Sequence, residues 1–273
     1  MEQIIQIIKD HTGATSDGLA IAMLIVGVLI IILAIVGIFI SIFLFFRYHR
    51  LNKTKNSCGL TGEEAARKIL DDNGLENIKI KCTGSILWGN SYSHVFKKIR
   101  LRRFTYKKDS ITSLAMAAQK SSLAIMDKEK DPAMRARNVL IPLQFFGPFM
   151  FIPLVLIGII IDVLIMITKD ASSPSFLFTF IFAGSGLLFY LVSFALSVVI
   201  LKAETKAQAK SLEILQKENM ATSSELEEIK GLYKLYNLEY INNMIMSFLE
   251  LLLRVLQIVA AFQGSSMSTS KND

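Results

Sequence analysis

An uncharged run of 29 residues, from Gly18 to Phe46, is the feature that most constrains this chain. About 20 apolar residues are enough for a helix to cross the hydrocarbon core of a bilayer. A cleaved signal peptide has a shorter apolar part with its basic residues before it, whereas here they come after it, beginning at Arg47. We therefore predict that residues 18–46 form a transmembrane helix.

Three further apolar blocks follow, at residues 139–168, 175–201 and 241–262. Apolar residues make up 52% of the chain, which excludes a single soluble domain and is typical of a multi-pass membrane protein. The first two blocks are predicted to be transmembrane helices 2 and 3, joined as an antiparallel hairpin. Pro142, Pro148 and Pro153 predict a kinked or broken entry into the second helix.

The last block, 241–262, also contains polar residues. Glu250 and Arg254 lie four positions apart in the order that favours an ion pair on one helix face. Such charges are costly inside a bilayer unless they pair or face other helices. We predict that the block is a fourth transmembrane helix, and an interfacial helix stays open as the alternative. The other ionisable residue predicted to lie within the membrane is Asp162.

The basic residues are concentrated between the first two apolar blocks. Residues 47–138 contain 20 of the 30 Lys and Arg residues against 9 Asp and Glu. Because positive residues mark the cytoplasmic side, this region is predicted to be cytoplasmic and residues 1–17 extracytoplasmic. Nucleic acid is not the expected partner, since no run of stacking aromatic residues accompanies the charge. Residues 202–240 are predicted to form cytoplasmic helices, and residues 263–273 a disordered tail.

The basic region has the pattern of a small α+β unit. Thr61-Gly62-Glu63-Glu64 is a capping box at the start of a helix, and Asn73-Gly74 is a signal for its end. Alternating residues at 78–82 and 97–101 predict two strands. A helix over residues 109–128, with small residues at helical spacing, completes the unit.

Residues 60–75, with the sequence LTGEEAARKILDDNGL, closely resemble the opening motif of the YugP-type membrane zinc metallopeptidases of bacteria. Tyr92 and Ile99-Arg100-Leu101 resemble the hairpin that follows in that family, and residues 132–142 resemble the stretch before its pair of spans. The resemblance extends over residues 19–262. It implies a mainly α protein of the bacterial cell membrane, with three or four spans and a cytoplasmic α+β unit that presents a zincin-like helix.

The residues that would perform the chemistry differ from the family pattern. In that family, a helix with the sequence Ala-Ala-His-Glu-x-Gly-His supplies two zinc ligands and a general base. The two ligand positions correspond to Gln119 and Leu123, and the position of the base corresponds to Lys120. Leucine has no lone pair, an amide oxygen is a poor zinc ligand, and lysine cannot activate water as glutamate does. Glu204 remains at the position of the third ligand, but one carboxylate cannot form a three-ligand site. We therefore predict no bound zinc, no metal site and no intact catalytic residue.

The sequence accordingly favours a catalytically inactive pseudopeptidase that acts as a membrane scaffold or as a protein- or peptide-binding component. Its expected partners are the lipid bilayer and a membrane protein or peptide, within a homo- or hetero-oligomer. Two alternatives stay open. One is an active peptidase with a rearranged site built on Glu204 and His94, and the other is a small channel or carrier built on Asp162, Glu250 and Arg254.

Overall fold

The computed structural model describes residues 2–84, 89–144, 146–169 and 176–269. The described elements, in chain order, are α1 (Glu2–Thr12), α2 (Asp17–Lys53), α3 (Gly62–Asp72), β1 (Lys79–Thr83), β2 (Ser91–Ser93), β3 (Lys98–Arg102), α4 (Arg103–Tyr106), α5 (Ile111–Lys128), α6 (Pro132–Gln144), α7 (Phe146–Lys169), α8 (Leu177–Lys217) and α9 (Ser223–Thr269). The protein is therefore mainly helical and has one small sheet.

In the described part of the chain, four helices are long and apolar enough to cross a membrane: Asp17–Lys53, Phe149–Thr168, Leu177–Lys217 and Ser223–Ala261. Three of them continue beyond their apolar parts into charged sequence, so α8 and α9 each join a predicted span and a predicted cytoplasmic segment in one helix. The helix α9 also continues to Thr269, so this part of the predicted disordered tail is helical, since no proline interrupts it. Residues 270–273 lie outside the described part of the chain.

The second apolar block, residues 139–168, lies within α6 and α7, and residue 145 between these two helices is outside the described part of the chain. Val139 belongs to α6, which ends at Gln144, and α7 begins at Phe146. Proline has no backbone N–H and disfavours helical geometry in the residue before it. The kinked or broken entry that Pro142, Pro148 and Pro153 indicate therefore stays a prediction.

The chain forms two compact units. The first comprises Met1–Ile38, Pro142–Ser197 and Ile241–Asp273. Within it, α7 and α8 approach closely at Gly158, where an added Cβ atom would lie 2.6 Å from Cα of Thr179. Large apolar side chains such as Ile31, Ile157 and Leu188 remain exposed along its helices. An exposed apolar surface of this kind is expected where lipid replaces water.

The second unit comprises Phe39–Ile141 and Val198–Tyr240. Its sheet has the strand order β1-β3-β2, in which β3 pairs in parallel with β1 and antiparallel with β2. Ile99 and Leu101 of β3 are fully buried, and helices α3, α4 and α5 pack against the sheet. The strand β2 is not foreseen by the alternation pattern, because three residues are too few to display it.

The start of α3 confirms the predicted capping box. The side chain of Thr61 accepts a hydrogen bond from the backbone N–H of Glu64, and the Glu64 carboxylate accepts one from the backbone N–H of Thr61. Gly74, just after the helix, has a φ of 63°, which is the left-handed conformation that glycine adopts most easily. An added Cβ atom at Gly62 would lie 2.1 Å from the backbone oxygen of Thr105, so this residue must be glycine for α3 to pack here.

Candidate functional site

The helix α5 is the centre of the second unit, and every residue from Ile111 to Met126 is buried. Its N-terminus is capped by Ser110, whose side chain accepts from the backbone N–H of Ser113. Two polar contacts fix the helix in the unit. The Thr112 hydroxyl donates to the backbone oxygen of Tyr48 at 3.1 Å, and the Tyr233 hydroxyl donates to the backbone oxygen of Ala115 at 2.6 Å.

The structure brings together three of the residues that the sequence singles out. Nε2 of Gln119 donates a hydrogen bond to Oε2 of Glu204 at 3.0 Å. Nζ of Lys120 donates to the same oxygen at 3.2 Å. The two donors are consecutive residues of α5 and the acceptor lies on α8, so the cluster joins these two helices at the place predicted for a degenerate site.

A fourth member of the cluster, Arg137, was not predicted as a site residue. Its Nε and Nη2 atoms donate to Oε1 of Glu204 at 2.9 and 2.6 Å, so this oxygen accepts two hydrogen bonds from one guanidinium group. Arg137 lies on α6 and is only 6% exposed. No local spacing rule relates it to Glu204, 67 positions later. The only sequence signal was the resemblance of residues 132–142 to the family.

Leu123, one turn after Gln119, is fully buried within the apolar core of the unit. The polar residues beside it are also shielded, since Gln119 is 6% exposed and Lys120 is 8% exposed. The side chain of Leu123 thus contributes to packing and excludes water from the cluster. A buried carboxylate without partners would be strongly destabilising, and here every close partner of Glu204 is a hydrogen-bond donor.

His94 does not join Glu204 in this arrangement. Its Nδ1 atom lies 2.6 Å from Oδ2 of Asp127, and the same oxygen accepts a hydrogen bond from the Tyr92 hydroxyl at 2.7 Å. Nδ2 of Asn138 donates to the other oxygen of Asp127 at 3.0 Å. Burial by itself raises the pKa of the Asp127 carboxyl, but the hydrogen bonds from His94 and Tyr92 outweigh burial and hold this pKa below its usual value.

The predicted intramembrane polar residues have other partners than the sequence suggests. Asp162 accepts hydrogen bonds from the backbone N–H groups of Phe178 and Thr179, at 3.1 and 2.7 Å. It therefore caps the N-terminus of α8 rather than extending into water, and it is 6% exposed. A carboxylate that lines an ion pathway in a channel would instead be free to contact the ion.

Glu250 and Arg254, whose spacing permits an ion pair, contact other residues of the first unit. Glu250 accepts a hydrogen bond from the Tyr190 hydroxyl at 3.1 Å. The guanidinium of Arg254 lies 4.7 Å from the ring centroid of Phe151. No ion pair within the described part of the chain joins the two residues. Each instead contacts an aromatic side chain of another helix of the first unit, which the spacing along one helix cannot reveal.

The four apolar helices found among the described residues indicate a membrane protein, and the chain also contains a small α+β unit built around a buried helix. The sequence profile of the family described as "Putative neutral zinc metallopeptidase" matches residues 26–260, and the chain belongs to this family. A relative from Bacillus subtilis (strain 168), "Putative membrane protease YugP", is 23% identical over 205 residues, which is 75% of this chain and 84% of the relative. No solved structure is significantly similar to the chain. The resemblance seen in the sequence is thus confirmed.

The family description implies a zinc ion, and the residues around Glu204 do not fit one. Zinc in proteins is held by imidazole, thiolate and carboxylate groups, at least three of them from the protein. Here one carboxylate faces an ammonium group and a guanidinium group, and the amide that faces it does so through its N–H donor. No group of three His, Cys, Asp or Glu that could hold a metal occurs among the residues that the structure describes.

Proposed function

We propose that this chain is a catalytically inactive member of its peptidase family, resident in a bacterial cell membrane, that acts as a scaffold and binds a partner protein. The observation that supports the proposal is the pairing of Lys120 and Arg137 with Glu204. Two fixed positive charges stand within hydrogen-bonding distance of the one carboxylate that family membership would assign to a metal. In this proposal, the positive charges of Lys120 and Arg137 neutralise Glu204 as a zinc ion would in an active member of the family.

The chemistry of hydrolysis supports the same conclusion. A metallopeptidase needs a base that accepts a proton from the metal-bound water, and its metal polarises the substrate carbonyl. Lys120, at the position of the base, has three donors and no acceptor when charged. A divalent cation brought next to it would also be repelled by two side-chain cations in a setting with little water to screen them.

The cluster also has a structural role that suits a scaffold. Glu204 on α8 is bonded to α5 through Gln119 and Lys120 and to α6 through Arg137. These three helices come from separate parts of the chain, so the cluster stabilises their arrangement. In this proposal the basic unit lies on the cytoplasmic side, because positive residues mark that side.

A groove beside the sheet supports partner binding. It has a volume of about 710 Å³ and lies between α3 and β1, with Arg67 and Lys68 on one wall and Lys79 and Ile80 on the other. The strand β1 is at the edge of the sheet, so one side of its backbone has no strand partner within the described sheet. An extended segment of a partner protein can add to such an edge through backbone hydrogen bonds.

Metal analysis and a cleavage assay test the inactivity. The full chain would be purified in detergent without chelator, its zinc content measured by mass spectrometry, and casein and peptide cleavage assayed with and without added zinc. We expect substoichiometric zinc and no cleavage above that of a Glu204→Gln variant. Stoichiometric zinc, together with cleavage that a chelator abolishes, would overturn the proposal.

A photo-crosslinking residue tests the scaffold role. It would be placed at Lys68, which lies at the groove, and in a control at Lys230, which is exposed on α9. In native membranes we expect one defined protein adduct from position 68 and none of the same mass from position 230. The same adducts from both positions, or no adduct from position 68, would contradict partner binding at the groove.

A further inference from the structure

The face of the sheet opposite the core contains a cluster of cations. Side chains alternate along a strand, and Ile99 and Leu101 point into the core, so Lys98 and Arg100 lie on the opposite face. The register pairs Lys79 with Lys98 and Lys81 with Arg100. Two neighbouring strands therefore place four positive side chains side by side. We call Lys79, Lys81, Lys98 and Arg100 the basic face.

This charge is not neutralised by direct ion pairs among the described residues, although Glu63, Glu64 and Asp71 line the groove beside Lys79 and Lys81. Within the described ranges, none of the ion pairs includes a residue of the basic face, although acidic residues pair with cations elsewhere in the unit. The residues of β2 on the same side, Ser91 and Ser93, are uncharged. Partial burial, followed by the charges of Arg100 and Lys81, lowers the pKa of Lys98. Like charges held together in this way destabilise the unit unless an anionic partner neutralises them.

An apolar tip adjoins the basic face. The turn between β2 and β3 contains Val95, which is 80% exposed, and Phe96, which is 65% exposed. Nζ of Lys98 lies 4.4 Å from the ring centroid of Phe96, so the tip is in contact with the cluster of cations. Exposed apolar and aromatic side chains next to basic ones are the composition of surfaces that bind at the interface of an anionic bilayer.

We propose that the basic face and the tip at Val95 and Phe96 bind the anionic lipid headgroups of a bilayer. Membrane-spanning helices keep this chain at a bilayer, so lipid is present at high effective concentration. Nucleic acid fits less well, because the strand positions of this face hold no aromatic side chain on which bases could stack. The inference is independent of whether the chain cleaves peptides.

The test measures how accessible Phe96 is in lipid nanodiscs. The full chain would be placed in discs of zwitterionic lipid alone and in discs that also contain phosphatidylglycerol. Hydroxyl-radical footprinting then reports the oxidation rate of Phe96. A second arm mixes neutral discs with phosphatidylglycerol vesicles. It distinguishes binding to the bilayer that holds the protein from binding to a separate bilayer. We expect oxidation of Phe96 to fall in at least one anionic arm, and the protection to disappear at high salt.

A matched pair of variants assigns the effect to the basic face. One variant replaces Lys79, Lys81 and Lys98 by Gln, and the control replaces Lys130, Lys217 and Lys230, which are exposed elsewhere in the unit. Each lysine near an anionic leaflet is expected to change the binding equilibrium about fivefold. The first variant should therefore lose the protection and the control should keep it. The proposal is overturned if Phe96 is equally oxidised in all arms, if both variants behave alike, or if a short RNA competes with the lipid.

Discussion

Nζ of Lys120 lies 3.2 Å from Oε2 of Glu204, and this ion pair joins two positions that the sequence predicts to be a degenerate metal site. The side chains of both residues are mostly buried, with 11% and 20% of their surface exposed. Arg137 binds the second carboxylate oxygen, so the cluster holds two cations and one anion. Ion pairs shielded in this way depend on the presence of every partner.

We predict that Glu204→Gln strongly destabilises the second unit. Loss of the carboxylate leaves Lys120 and Arg137 without a counter-charge, and breaking a buried ion pair in this manner costs about 3–5 kcal/mol. Thermal unfolding of the full chain in detergent, followed by circular dichroism, measures the effect. Glu213→Gln removes an exposed carboxylate from the same helix and should leave the unfolding temperature nearly unchanged. Equal effects of the two variants would show that the cluster is not stabilising.

Restoring the family residues is expected to restore metal binding. The triple variant Gln119→His, Lys120→Glu, Leu123→His supplies two imidazoles four positions apart, with Glu204 on the facing helix, and should bind about one zinc ion. The control variant keeps Lys120 and changes only Gln119 and Leu123 to His. Because its ammonium group still occupies the carboxylate, the control should bind less zinc than the triple variant by isothermal titration calorimetry. If the two variants bind zinc equally, Lys120 does not oppose the metal.

Asp127 should make stability depend on acid pH. Its pKa in the folded protein is lower than in the unfolded chain, because the hydrogen bonds from His94 and Tyr92 outweigh burial. A lowered folded pKa means that the contribution is complete above the unfolded pKa of about 4 and is lost as the pH falls through the folded value. Asp127→Asn should therefore flatten the decline of unfolding temperature with acidification below that pH.

The comparison for this prediction is Glu76→Gln, which changes an exposed carboxylate that lines one cavity together with Asp127. It should retain the acid dependence of the parent chain. A slope in Asp127→Asn as steep as in the parent would mean that another group controls the acid response.

Asp162 is expected to stabilise the first unit as a helix cap. Its carboxylate satisfies the backbone N–H groups of Phe178 and Thr179, and buried groups left unsatisfied cost about 1–3 kcal/mol each. Asp162→Leu should therefore lower the unfolding temperature of the detergent-solubilised chain. Thr168→Val is the control, since that hydroxyl bonds only to backbone oxygens of its own helix. A stable Asp162→Leu variant that had lost ion flux in liposomes would instead support the channel alternative.

The elements that sequence could predict depend on local signals. The capping box at Thr61 and Glu64 and the turn at Gly74 are set by residues a few positions apart, and both are present. The apolar blocks were recognisable because lipid demands long uncharged helices. Boundaries were less accurate where a helix continues past its apolar part, as in α8 and α9, because the charged sequence that follows is also helical.

The candidate site was predictable only in part. Family resemblance placed Gln119, Lys120 and Glu204 at equivalent positions of one site, and the structure has them in direct contact. Arg137 was missed because its contact with Glu204 joins distant parts of the chain. The spacing of Glu250 and Arg254 could not reveal their contacts with Tyr190 and Phe151, which lie on other helices.

The sequence by itself determined that this chain enters a membrane, that it belongs to a peptidase family and that imidazole and carboxylate are missing from the helix at residues 119–123. These conclusions follow from composition and from the chemistry of single side chains. Only the tertiary structure decided what replaced them: a buried carboxylate neutralised by Lys120 and Arg137. The reason is physical, since the partners of a buried charge are set by the packing of three helices and not by their spacing along the chain.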